Sequence, residues 1–169
     1  MKRFCCLLMF LVFLTSLSVS AFSENHDRSN NTEQIDAVLN FIEAINDKND
    51  AVCISCYTSD QTEQMYAAAR SNPIQEASVE VLAIKQLTYE TGLRAAAVSP
   101  RELERYTDIT VVLSKEYVTA SEAATHVTTG EYDRVYVLSA ENGCWKIVRR
   151  SEANMEIIRQ AGEDFSVDA

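Results

Sequence analysis

At Pro73 the chain changes its hydrophobic period, and that switch limits the folds open to it. Upstream, Ile35, Val38, Leu39, Ile42 and Ile45 recur at the three-and-four spacing that gathers side chains on one helical face, with Phe41 beside them. Glu33 and Asp36 in the first turn and Lys48 at the end suit the helix dipole. Asn49-Asp50 predicts the cap of a second helix ending near Tyr57. Thr58 with Gln61 predicts a capping box for a third, running to about Arg70 and stopped by Ser71-Asn72-Pro73. Downstream the spacing alternates. Val79–Thr91, Tyr106–Thr119, Glu131–Ala140 and Cys144–Arg150 are rich in β-branched and aromatic residues and read as four strands. Helices followed by a strand meander predict an α+β single domain in which the helices cover one face of an antiparallel sheet.

The connections refine this path. Ser99-Pro100-Arg101-Glu102 carries a capping serine and a proline at the first helical position, so a short helical turn is expected between the first two strands. Glu141-Asn142-Gly143 is a tight hairpin signal that makes the last two strands antiparallel neighbours. Ala120–Gly130 reads as an extended hairpin arm. Trp145, in the last strand, is expected in the core.

Ahead of all this, Lys2 and Arg3 precede an apolar run from Phe4 to Val19, and Val19-Ser20-Ala21 offers small residues for cleavage. Residues 1–21 are therefore read as a signal peptide and 22–31 as a flexible leader. The domain proper spans 32–150, with a short helix and acidic tail over 151–169. The expected location is secreted or extracytoplasmic, with no membrane contact after cleavage. The formal net charge of −10 becomes about −12 once Lys2 and Arg3 are removed, a field that repels phosphate backbones and argues against nucleic acid as a partner. Five cysteines become three. Cys53, Cys56 and Cys144 are too few for a disulfide framework and are expected to be buried packing without a long-range bridge.

This element order, with the NFIEAINDKND helix end and the terminal LSAENGCWKIVR hairpin, resembles the nuclear transport factor two-like superfamily, also called SnoaL-like or ketosteroid-isomerase-like. More narrowly, it resembles small exported bacterial domains of that superfamily with no assigned function. The resemblance implies a cone formed by a strongly curved sheet and the N-terminal helices. A pocket inside the cone and a homodimer through the outer sheet face are further implications.

Chemistry-bearing residues are sparse. His26 lies in the leader and His126 in the polar arm, both expected at the surface. Asp108 and Asp133 are the available strand carboxylates, and Asp108 with a tyrosine is what an acid–base enzyme of the resembled superfamily would use. Tyr57, Tyr89 and Tyr136 are the residues chosen to line a pocket if there is one. Cys53-Ile-Ser-Cys56 has the spacing of a thiol redox motif but lacks the preceding strand such motifs follow. The sequence contains no Gly-x-Ser-x-Gly, no His-Glu-x-x-His and no glycine-rich phosphate loop, so no cofactor or metal is expected. Three functional readings stand. The first is a non-catalytic exported module binding a small molecule or a protein, the second a ketosteroid-isomerase-like or dehydratase-like enzyme, and the third a thiol redox protein.

Overall fold

The computed structural model describes residues 25–71, 76–122 and 124–165. The expected signal peptide, the first residues of the leader and the end of the acidic tail lie outside them. The described residues from Gln34 onward form one compact unit. The element order is α1 (Asn25–Asn46), α2 (Asp50–Ser55), α3 (Ser59–Ser71), β1 (Glu76–Leu87), α4 (Tyr89–Ala95), a 3-10 turn (Pro100–Leu103), β2 (Thr110–Ala120), β3 (Gly130–Glu141), β4 (Cys144–Glu152) and α5 (Met155–Gln160). The strands form an open antiparallel sheet in the order β1-β2-β3-β4. The class is α+β.

Local chemistry explains most boundaries. The Asn49 side chain accepts a hydrogen bond from Val52 N at 3.2 Å and starts α2. Asn142 and Gly143 both take positive φ, 53° and 77°, as a type I′ hairpin requires. Helix α1 begins at Asn25, inside the stretch read as leader. No Gly or Pro interrupts Asn25–Asn46, so the amphipathic turns propagate the helix back toward the N-terminus.

Several further expectations need correction. The first strand ends at Leu87, and Tyr89–Ala95 is a helix rather than a strand end. Its N-terminal cap comes from far away, because the Glu163 carboxylate accepts hydrogen bonds from Thr88 N, Thr88 Oγ1 and Thr91 Oγ1 at 2.8, 2.7 and 2.8 Å. The capping box does not form at α3 either. Gln61 Nε2 donates instead to Val148 O at 2.5 Å, and the Glu141 carboxylate accepts from Ser59 N and Ser59 Oγ. Finally, both faces of the sheet are buried at its centre. Val38, Phe41, Ile42 and Ile45 of α1 share a cluster with Val112, Val118, Tyr136 and Leu138. The alternating residues Val111, Leu113, Val135 and Val137 share a second cluster with Leu93 and Ala96 by α4, Leu103 of the 3-10 turn and Ile158 of α5. Period-two alternation sends neighbouring residues of one strand to opposite sides, so both sets can be apolar only where both sides are covered. Trp145 is partly buried at the margin of the first cluster rather than central to it.

Candidate functional site

Strand alternation places Glu116 and Tyr136 on the same sheet face as Val112, Val118 and Leu138, the face that shares its cluster with α1. Arg150 is the cross-strand partner of Tyr136. These three side chains meet: Tyr136 Oη donates to Glu116 Oε1 at 2.6 Å, Arg150 Nε donates to Tyr136 Oη at 3.1 Å, and Arg150 Nη2 donates to Glu116 Oε2 at 3.2 Å. Glu76, the first residue of β1, completes the group by accepting from Arg150 Nη1 at 2.9 Å.

The end of α1 fixes where β1 begins. Asn46 exchanges two hydrogen bonds with the Val79 backbone, at 3.0 and 2.7 Å, and Lys48 Nζ donates to the carbonyls of Glu76 and Ala77. Phe41 and Tyr57 form the apolar wall. Their rings meet edge to face at 5.6 Å, and the Arg150 guanidinium lies 5.6 Å from the Phe41 centroid and 5.8 Å from that of Tyr136.

The Glu116 side chain is fully buried, and those of Glu76 and Arg150 keep only 9% and 14% of their surface, so the charges act at low dielectric. Burial by itself would lower the arginine's affinity for its proton, but Tyr136, Glu116 and Glu76 outweigh it and hold Arg150 above its ordinary range. Burial pushes the Tyr136 and Tyr57 phenols up, against the pull of Arg150, so both stay protonated. Each Glu116 oxygen is engaged by a donor. The network is thus built on one guanidinium and two carboxylates, with Glu116 accepting one hydrogen bond on each oxygen. Beside it on the same face of β2, Ser114 is fully buried and its hydroxyl has no hydrogen-bond partner.

Of the residues singled out from sequence, Tyr57 and Tyr136 converge on Arg150. Tyr89 does not: it opens α4, half exposed, and the buried residues of α4 belong to the other cluster. Asp108 sits on the exposed turn before β2 with φ 49°, and Asp133 is partly exposed on β3. His126 is exposed in the arm. Cys53, Cys56 and Cys144 are all free, and only Cys53 is buried, against the expectation of three buried sulfurs; Cys56 is half-buried and Cys144 is exposed, because it starts β4 directly after the hairpin turn. Burial, with Cys56 and Asp50 nearby, pushes the Cys53 thiol up to about 11, and burial also raises Cys56 despite Lys146.

A polar cleft of about 210 Å³ lies elsewhere, lined by residues that include Ser59, Asp60, Arg105, Tyr106 and Glu141. Asp60 there accepts from Arg105 Nη2 and Tyr106 Oη, both at 2.8 Å, and the Glu141 carboxylate accepts from Ser59. Glu76, Glu116 and Arg150 are the residues that sequence reading missed. The available signal was Glu116, a charge in phase with Val112 and Val118 on an otherwise apolar strand face. No protein-family model matches this sequence, and no curated protein matches it.

Proposed function

We propose that the chain is a non-catalytic exported binding module of the nuclear transport factor two-like kind, and that its ligand site is the buried charge network around Arg150. One observation carries this reading: a buried guanidinium is held between an aromatic wall, Phe41 and Tyr57, and a carboxylate whose oxygens are both occupied. Such a group recognises charge strongly because water is excluded. The acid–base alternative would have to run through Asp108, which stands on an exposed turn. The redox alternative would have to run through thiols that burial keeps protonated.

Saturation-transfer NMR against anionic, neutral and cationic fragments, with chemical analysis of the recovered compounds, tests the proposal. Binders that return unaltered and lose their signal in Tyr57→Leu support it. Chemical conversion of a fragment, or binders indifferent to Tyr57→Leu, would overturn it.

A further inference from the structure

We propose that Glu76 is a tethered stand-in for the ligand, and that the site's external ligand is a small molecule whose carboxylate takes Glu76's seat on Arg150. This deepens the proposed function and rests on its placement of the site at Arg150. The two carboxylates on this guanidinium are not equivalent. Glu116 lies mid-strand on the central β2, fully buried, with Tyr136 on one oxygen and Arg150 on the other, and it neutralises the arginine by itself. Glu76 brings a second carboxylate to this guanidinium, with Lys48 at its own backbone carbonyl as the other nearby cation.

It is also the more easily released partner. Glu76 is the first residue of an edge strand, next to a register shift between Glu76 and Ser78, and among the described residues its carboxylate accepts a hydrogen bond from Arg150 Nη1 alone. The charges around it are Arg150 and Glu116 from the sheet and Lys48 on its own backbone carbonyl, with the phenols of Tyr57 and Tyr136 and the Cys53 thiol nearby. The seat it fills thus has a guanidinium donor and an aromatic wall. A carboxylate matches Arg150's planar donors and preserves the existing charge count. A phosphate dianion would add a further negative charge beside Glu116, so phosphate is disfavoured.

The tether also predicts weak binding by very small acids in the native chain, since a linked carboxylate competes at an effective concentration of roughly millimolar or more. Glu76→Ala removes that competitor and leaves Arg150 paired with Glu116. In this variant sodium formate and acetate are expected to raise Tm saturably by about 3–5 °C over sodium chloride at equal ionic strength. Inorganic phosphate should give no such rise, and Glu76→Gln, whose amide still fills the seat, should show none with formate. Equal Tm values in formate and chloride for Glu76→Ala would overturn the proposal, as would an equal rise with phosphate or in Glu76→Gln.

Should Glu76→Ala fail to fold, crystals of the unaltered protein soaked in benzoate provide the test. Benzoate on Arg150 with Glu76 turned away supports the inference, and Glu76 still seated on Arg150 refutes it. Failure here combined with neutral fragments that still depend on Tyr57 would remove only the carboxylate assignment. Loss of Tyr57-dependent binding altogether would remove the site itself.

Discussion

Gly92 offers a test in which two physical rules predict opposite signs. It lies inside α4, where replacing glycine by alanine ordinarily stabilises a helix by about 1 kcal/mol through backbone entropy. Here an added Cβ would stand 2.5 Å from Val111 Cβ and 2.7 Å from each of its γ-carbons, far inside van der Waals contact. Val111 is fully buried and branched at Cβ, so no rotamer change clears the overlap. Helix α4 must instead move away from β2 by on the order of 1 Å, loosening Leu93 and Ala96 against the second cluster. Overpacking of this kind costs about 1–3 kcal/mol, and strand backbone on the other side puts this case at the upper end. After subtracting the propensity gain, Gly92→Ala is expected to destabilise by about 2 kcal/mol. Urea unfolding followed by circular dichroism should show a lower midpoint at unchanged slope. Val111→Ala should not rescue it, because Val111 Cβ is itself one of the clashing atoms. A Gly92→Ala protein as stable as the parent, or more so, would refute the claimed contact between α4 and β2.

Glu163→Gln should lose about 1 kcal/mol through its triple cap on Thr88 and Thr91. Burial raises the Glu163 carboxyl, but those hydrogen bonds outweigh it and hold it below the ordinary value, so the contribution is present above about pH 4.5 and is lost as pH falls through the folded value. Parent and variant stabilities should therefore converge in acid, and a constant gap down to pH 2 would contradict the assignment. For Cys53 the sign reverses: with the thiol raised to about 11, its contribution is intact below pH 9 and fades as pH climbs through the folded value, so urea midpoints should fall less steeply in alkali for Cys53→Ala. Alkylation of the native protein, read by mass spectrometry, should modify Cys144 first and Cys53 last. Trp145→Ala should cost about 2 kcal/mol rather than the 3–5 kcal/mol of a central aromatic, since the ring is only partly buried; a loss above 4 kcal/mol in chemical denaturation would show that it carries more of the core.

Much of the fold was legible because its signals are local. The α1 face, the Asn49 cap, the Ser99-Pro100 turn and the Asn142-Gly143 hairpin each follow from a few adjacent residues. What escaped depends on residues distant in sequence. Helix α4 borrows its cap from Glu163, so Thr88–Ala95 read alone continues the alternation of β1. Gln61 leaves its expected capping box because Val148 O comes within reach only in the folded chain. The site was half legible. Tyr57 and Tyr136 were selected as pocket residues, but Tyr89 was set beside them because alternation does not reveal where β1 gives way to a helix. Glu76, Glu116 and Arg150 looked like ordinary surface charges. Each is separated from its partners by at least 14 positions along the chain, and only the sheet register joins them.

The account rests on Arg150 being a buried, permanently charged group that ligands reach. The most direct measurement is the Arg150 Nε–Hε resonance of the unaltered protein by ¹⁵N NMR, followed at neutral pH while benzoate is added. A signal protected from solvent exchange in the free protein, as the hydrogen bond to Tyr136 Oη requires, that shifts saturably with benzoate is the predicted result. A rapidly exchanging Arg150 signal, or one that stays fixed while benzoate perturbs only surface residues such as Arg105 and Tyr106, would contradict it.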